Sequence, residues 1–326
     1  MLFAGCIFLP EKASEEGEEL NSTPKNASMD DTNDNELNIF IALEGEPKTR
    51  EDLEKLFKAF DLEAKFNSIK PLVRSKIDVE LIRCSESDIK PGQSKIGGKP
   101  DLPANIVWPT TRTNKSLSFI GQLNCAELNA HHKENLLPEE GLISFFYCSN
   151  QEAWGFDPKD ADRFKVIYSE SIENLERLEY PKDLEEQSIF RSNKLKLDES
   201  LSIPGWEHHS INGVFTDDEI DDYIEISSGF EHQILGYADA IQGPMELECQ
   251  LVTNGLFCGD PSGYEDPRRE ELESGKDDWI LLFQVNSDEE NSGMMWGDEG
   301  KLYFWIKKQD LKDRNFDDCW FVLQCY

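Results

Sequence analysis

Apolar and polar residues follow two different periods along this chain. In "KTREDLEKLFKAF", Leu53, Leu56, Phe57 and Phe60 fall at i, i+3, i+4 and i+7, with Thr49 ahead of them and Glu51 and Asp52 in the first turn. That spacing puts one apolar stripe on a helix, and the leading hydroxyl caps it. "IKPLVRSKIDVELIRC" instead alternates with period two, as a half-buried antiparallel strand does. "SKIGGKPDLP" gathers Gly and Pro, so regular structure must break there. From Asn150 to Leu201 the text is charged and weakly patterned, with a helix expected around "SIENLERLEYPKDLEEQ" and a stop at Pro204 and Gly205. "TDDEIDDYIEISS" then offers Thr216 as an N-cap, with acids in the first turn where the helix dipole favours them. The D-x-[DN]-x-[DN]-G spacing of a calcium loop is absent from it.

Near the C-terminus, "KLYFWI" sets Leu302, Phe304 and Ile306 on one face and Tyr303 and Trp305 on the other. Both faces are apolar, so the strand is expected in the middle of the protein or beneath a partner. The longer stretch "MMWGDEGKLYFWIKKQDL", Met294 to Leu311, therefore reads either as a strand-turn-strand junction or as the rim of a binding site.

The chain also resembles itself. "FIGQLNCAEL" is echoed by "LLFQVNSDEE", which aligns Gln122 with Gln284, and "LPEEGLISFFY" by "WGDEGKLYFWI", which aligns Gly141 with Gly300. A weaker match sets "KIGGKPDLP" against "QILGYADAI", pairing Gly98 with Gly236 and Asp101 with Asp239. Each unit reads as a Gly turn, a strand carrying a Gln, an acidic connector, a glycine and an aromatic strand. The expected architecture is α+β with mainly antiparallel sheets, built by internal duplication about a pseudo-twofold axis. Its repeats span about 69–150 and 230–326 within a domain over 38–326.

These motifs, with "WILLFQVNSD" and the ending "FDDCWFVLQCY", resemble the YwqG-like family of conserved bacterial proteins over Ile69 to Tyr326. The resemblance implies a pseudosymmetric α+β fold without an established reaction, and a binding role of the immunity or antitoxin kind. The stretch before Glu36 departs from the family pattern.

Composition narrows the partners. Lys and Arg number 33 against 66 Asp and Glu, a net charge of -33; such a surface repels nucleic acid and anionic lipid and speeds encounter with a basic protein. Residues 1–37 are expected to be disordered: "EKASEEGEELNSTPKNASMDDTNDNE" has almost no large apolar side chain to bury. Eight cysteines are scattered without a C-x-x-C pair, and most sit in strand-like text, which implies reduced thiols and a cytoplasmic setting. The alternative comes from "LFAGC", which resembles the end of a lipoprotein signal and would anchor the chain through Cys6 if its true start lies upstream. No stretch has the apolar length of a membrane span.

The common catalytic motifs are missing: no G-x-S-x-G, G-x-G-x-x-G, P-loop or H-E-x-x-H occurs. His131, His132, His208 and His209 form doublets that would point to opposite faces of a strand, which argues against a metal site, and no cofactor is called for. The expected binding residues are Tyr237, Asp239, Gln242, Trp296 and Asp298, all in Gly-flanked loops of the second repeat. The first functional expectation is a protein-binding module for a basic partner. The second is a hydrolase or transferase working with Asp239, Asp298 and a histidine.

Overall fold

The computed structural model describes residues 46–326 apart from residues 133, 135, 149 and 230. The acidic stretch 11–36 and Cys6 lie outside the described residues. The strands are β1 (Arg74–Arg83), β2 (Lys95–Ile96), β3 (Asp101–Pro103), β4 (Ser118–Asn124), β5 (Leu142–Tyr147), β6 (Phe164–Ser169), β7 (Leu175–Arg177), β8 (Asn193–Ser202), β9 (His232–Leu235), β10 (Trp279–Asn286), β11 (Lys301–Lys307) and β12 (Trp320–Gln324). Ten of them form one sheet in the order β12-β11-β10-β9-β1-β8-β2-β4-β5-β6. Every neighbouring pair in it is antiparallel. Strands β3 and β7 pair separately.

Ring contacts show how strongly this sheet curls. The Phe145 ring on β5 is 5.0 Å from Phe283 on β10 and 4.9 Å from Phe304 on β11, although β9, β1, β8, β2 and β4 separate them along the sheet. At the two edges Phe164 on β6 meets Trp320 at 5.6 Å and Phe321 at 4.8 Å on β12. The result is a nearly closed barrel with an aromatic interior, as expected when strands apolar on both faces need cover on both sides. The alternation of "KLYFWI" is realised: Lys301 to Ile306 are all buried. Phe304 faces the interior, while Tyr303 and Trp305 face outward under the segment 237–246.

The helices pack outside the barrel. Thr49 caps Arg50–Ala59 through a capping box with Asp52, and Thr216 caps Asp217–Ser227 with Glu219 in the same way. These helices share a small core around Phe57 and Tyr223. Helix Glu246–Thr253 lies over β10, where the Trp279 indole donates to Gln250 Oε1 at 3.0 Å. The helix expected around residues 171–187 does not form. Those residues supply β7 and a short 3-10 turn at Glu186–Ser188. Arg177 is drawn to the buried Asp101, Nε to Oδ1 at 2.8 Å, and Pro181 interrupts helical hydrogen bonding. The weakly patterned middle also contributes β6 and β8, the second visible in hindsight as the alternation "KLKLD".

The two halves of the sheet carry matching local features. Strand β4 has a bulge between Phe119 and Gly121, and β10 has one between Leu281 and Phe283. Gln122 Oε1 accepts from the Asp101 N–H at 2.9 Å, and Gln284 Oε1 from the Asp239 N–H at 3.0 Å. A Cβ at Gly141 would meet the Ser169 carbonyl at 2.6 Å, and one at Gly300 the Gln324 carbonyl at 2.2 Å, so only glycine fits either position.

The contact of Phe145 with both facing strands yields a test. Phe145→Ala is expected to lower unfolding free energy by about 3–5 kcal/mol, read from the midpoint of a urea transition. Exposed Val107→Ala is expected to leave that midpoint unchanged.

Candidate functional site: an acidic trench over the second half of the sheet

The bulges place Gln122 and Gln284 on the outer face of the sheet, where each holds a loop through its aspartate. In the first half the aspartate is sealed. Asp101 is fully buried; its carboxylate takes Arg177 Nε at 2.8 Å, Gln122 Nε2 at 2.7 Å and the Gly92 N–H at 3.1 Å, with Lys95 Nζ at 3.5 Å. Burial alone would raise this carboxyl, but the hydrogen bonds from Arg177 and Gln122 and the charge of Lys95 hold it below the usual carboxylate range.

In the second half the corresponding position opens outward. Lys301 Nζ is 2.6 Å from Asp239 Oδ2, and the Tyr303 hydroxyl donates to the Asp239 carbonyl at 2.7 Å. Asp239 and Lys301 line a groove of about 610 Å³ whose walls include Glu231, Glu289, Glu299, Trp206 and Tyr326. Trp206 is 46% exposed and Tyr326 73%, an unusual display for large rings. A second groove of about 540 Å³ shares Gly229, Glu231 and Ser287 with the first, and Glu46, Lys76, Asp78, His232 and Asp288 also line it. Burial pushes the Glu46 carboxyl up; Lys76 works against this, while Asp78 and Asp239 push the same way. The residues the two grooves share, Glu231 among them, join them into one acidic trench. At its far end His232 Nδ1 accepts the Asn286 N–H at 3.0 Å, and its Nε2 lies 3.7 Å from Asp288, whose carboxyl His232 holds well below the ordinary range.

Below Trp206 a cavity of about 40 Å³ shares Trp206, Ser228, Asp239 and Ala240 with the trench. His208, Ser227, Tyr237, Glu246 and Trp305 also line it. His208 Nδ1 accepts the Ser210 N–H at 3.2 Å, which turns Nε2 toward Glu246 Oε1 at 3.5 Å. Burial opposes ionisation of Glu246, but the hydrogen bond and charge of His208 keep its carboxyl below the usual value.

The five residues expected from sequence are not gathered in one cleft. Asp239 lines both trench and cavity. Tyr237 reaches the cavity, its ring covered by the Arg74 guanidinium at 3.9 Å and its hydroxyl donating to the Leu72 carbonyl at 2.9 Å. Asp298 is exposed beside the groove-lining Glu299, and its carbonyl accepts the Tyr326 N–H. Gln242 is exposed and lines neither space; its N–H is held by Gln324 Oε1 at 3.0 Å. Trp296 points into the barrel, edge-on to Tyr147 at 5.8 Å and Phe190 at 5.5 Å. "MMWGDEGKLYFWIKKQDL" is therefore junction and rim together, since Met295, Glu299 and Lys301 line the groove while Met294 and Trp296 are core. Sequence reading passed over Trp206, Lys301, Glu231 and Glu246, and weighed His208 only as half of a histidine doublet. Trp206 did carry a signal, because "IPGWEHH" presents an aromatic directly after a Pro-Gly turn.

Among the described residues no group of three His, Cys, Asp or Glu is placed to hold a metal ion, and no helix is long and apolar enough to cross a membrane. Fold and site together define an α+β protein with a curled antiparallel sheet and an acidic trench on its outer face. Residues 94–325 match the family described as Domain of unknown function (DUF1963), and the chain belongs to that family. No curated protein matches it.

Helix Glu246–Thr253 also buries a carboxyl away from the trench. Glu248 Oε2 accepts the Tyr264 hydroxyl at 3.2 Å and its Oε1 is shut from solvent without a partner. Burial pushes this carboxyl up to about 8, only partly offset by the Tyr264 hydrogen bond. The folded state therefore binds this proton more tightly than the unfolded chain, so the contribution of Glu248 to stability is complete below the ordinary Glu value of 4.5 and is lost as pH rises through about 8. Denaturant midpoints measured across that window are expected to show the decline in wild type and a flatter profile in Glu248→Gln.

Proposed function

We propose that this protein is a binding module whose trench takes a basic segment of another protein, in the manner of an immunity or antitoxin protein. One observation carries this reading: Glu231, Glu289 and Glu299 line a groove framed by two exposed aromatic rings, Trp206 and Tyr326. Carboxylates supply long-range attraction for Lys and Arg, and aromatic faces supply local cation–π contact. Among the described residues Lys301 is the only lysine lining that groove, and it is paired with Asp239, so the three glutamates keep the lining negative.

We further infer that the fold arose by duplication and that the chain is YwqG-like. Paired bulges, paired Gln–Asp hydrogen bonds, paired close-packed glycines and a strand order that reads alike outward from β1 and β8 support the duplication. The trench then arose in one copy only. The hydrolase or transferase reading finds less support. Asp298 lies outside the trench lining, and Asp239 is committed to Lys301 through its carboxylate and to Gln284 through its N–H.

The test is calorimetric titration with short Arg/Lys-containing peptides and acidic counterparts. Basic peptides are expected to bind and to weaken as salt rises. Trp206→Ala, which leaves the charge unchanged, should lower affinity about tenfold, the size of a partly desolvated cation–π contact. Equal binding of acidic peptides, or indifference to Trp206, would overturn the reading.

A further inference from the structure

Strand β1 runs on where its neighbour stops. On one side β8 pairs with it from Arg74 to Arg83, but on the other β9 pairs only from Lys76 to Val79. The phase of the ladder decides which backbone groups this leaves. The Ser75 N–H donates to Glu134 Oε1 at 3.1 Å and the opposed Leu201 N–H to the Pro47 carbonyl at 2.7 Å, so this pair turns its backbone outward on both sides. Antiparallel ladders alternate, so Ile77 and Val79 serve β9, while Leu81 and Arg83 point their N–H and C=O past its end. The Cys84 N–H, given to the Ser192 carbonyl at 3.2 Å, agrees with that phase. Among the described residues no strand meets Leu81 or Arg83 on that side.

The groove of about 540 Å³ lies along this bare edge. Val79 and Leu81 belong to the barrel core and Asp78 and Glu80 lie on the opposite face, yet all four line it. A groove over one face would touch alternate residues only; one that touches successive residues follows the edge of the strand. Its far wall is Ser287, Asp288 and Asn291, just beyond β10. Strands β1 and β10 flank β9, so where β9 stops they stand two strand spacings apart, roughly 9–10 Å, the width that a single strand fills. Glu231, the residue ahead of β9, leaves this line, because its carbonyl accepts Gln284 Nε2 at 2.9 Å on the outer face.

Charge defines the occupant. Glu46, Asp78, Glu80, Glu231 and Asp288 line the groove, against Lys76, which lies 2.8 Å from Asp78. Glu80 meets Lys196 in an exposed pair, which another cation displaces at little cost. A bare strand edge takes another strand, and this edge is set among carboxylates.

We propose that the basic segment bound in the trench adds to the sheet here as an antiparallel strand in line with β9, exchanging backbone hydrogen bonds with Leu81 and Arg83. Opposed residues of such a pair share a face, so the segment residues that bond Leu81 and Arg83 turn their side chains inward. The residues between them carry Lys or Arg along the outer face beside Glu80, where Ile82, 46% exposed, receives the aliphatic stem. Recognition therefore has a period of two. This inference rests on the trench being a site for a basic segment, and it adds a backbone geometry that charge attraction does not require.

The test uses an octapeptide alternating lysine and threonine, titrated calorimetrically into the full chain. Two analogues carry N-methyl groups on the backbone of every threonine or of every lysine, which removes donors and leaves the charge. Methylating the threonines, whose amides face β1, is expected to weaken binding by about tenfold or more, and methylating the lysines far less. In the ¹⁵N-labelled full chain the parent peptide should slow hydrogen exchange at the Leu81 and Arg83 amides. The Glu80 and Ile82 amides, which the ladder already gives to β8, should not change. If the parent peptide binds but the two methylation patterns act equally, or exchange at Leu81 and Arg83 is unaltered, strand addition is overturned and the trench reading stands. If the parent peptide does not bind at all, both fall.

Discussion

A buried amide hydrogen bond fixes the working surface of this protein. Gln284 Oε1 accepts the Asp239 N–H, while its Nε2 donates to the Glu231 carbonyl at 2.9 Å and to Asn286 Oδ1 at 3.1 Å. One fully buried side chain thus ties the strand to segments on either side of the trench. A buried amide that left these groups unpaired would be costly, and a satisfied one admits few alternative geometries. The Tyr303 hydroxyl bond to the Asp239 carbonyl finishes the clamp. With its backbone held on both sides, Asp239 must present its carboxylate to Lys301 and to the groove.

The same clamp around Gln122 has a different outcome, and the cation explains it. Arg177 spreads over Asp101 with Nε on Oδ1 and a second nitrogen on Oδ2 at 3.1 Å, and its Nη1 also reaches the carbonyls of Glu86 and Ile89. A planar fork of that kind knits a carboxylate to surrounding backbone and closes the site. Lysine is a point charge on a flexible stem. Lys301 neutralises Asp239 without roofing it, and the space above becomes the groove.

Much of the fold was legible because it rests on short-range rules. The Thr49 and Thr216 caps, the two-sided strand "KLYFWI" and the recurring Gln, Asp and Gly positions each express a local requirement. The failures are equally physical. Residues 175–177 pair as a strand because Asp101, remote in sequence, demands Arg177, and no local pattern announces that demand. Trp296 and Asp298 stand two apart in one turn, yet one enters the barrel and the other faces solvent, a difference set by the interior contacts with Tyr147 and Phe190. Of the expected site residues, Asp239 was legible because a repeated position argues for a repeated structural task. His208 and Glu246 were not, since they meet only when the loop after Pro204 folds over helix Glu246–Thr253.

Charge alone could not make this trench selective. With a net charge of -33, the whole surface attracts cations, and a basic chain would find purchase at many places. Selectivity needs features that charge does not supply, such as rings held at fixed positions. Trp206 is such a ring: it borders both the acidic groove and the small cavity beside it. Asp239 lines both spaces as well, and the clamp at Gln284 holds its backbone in place between them.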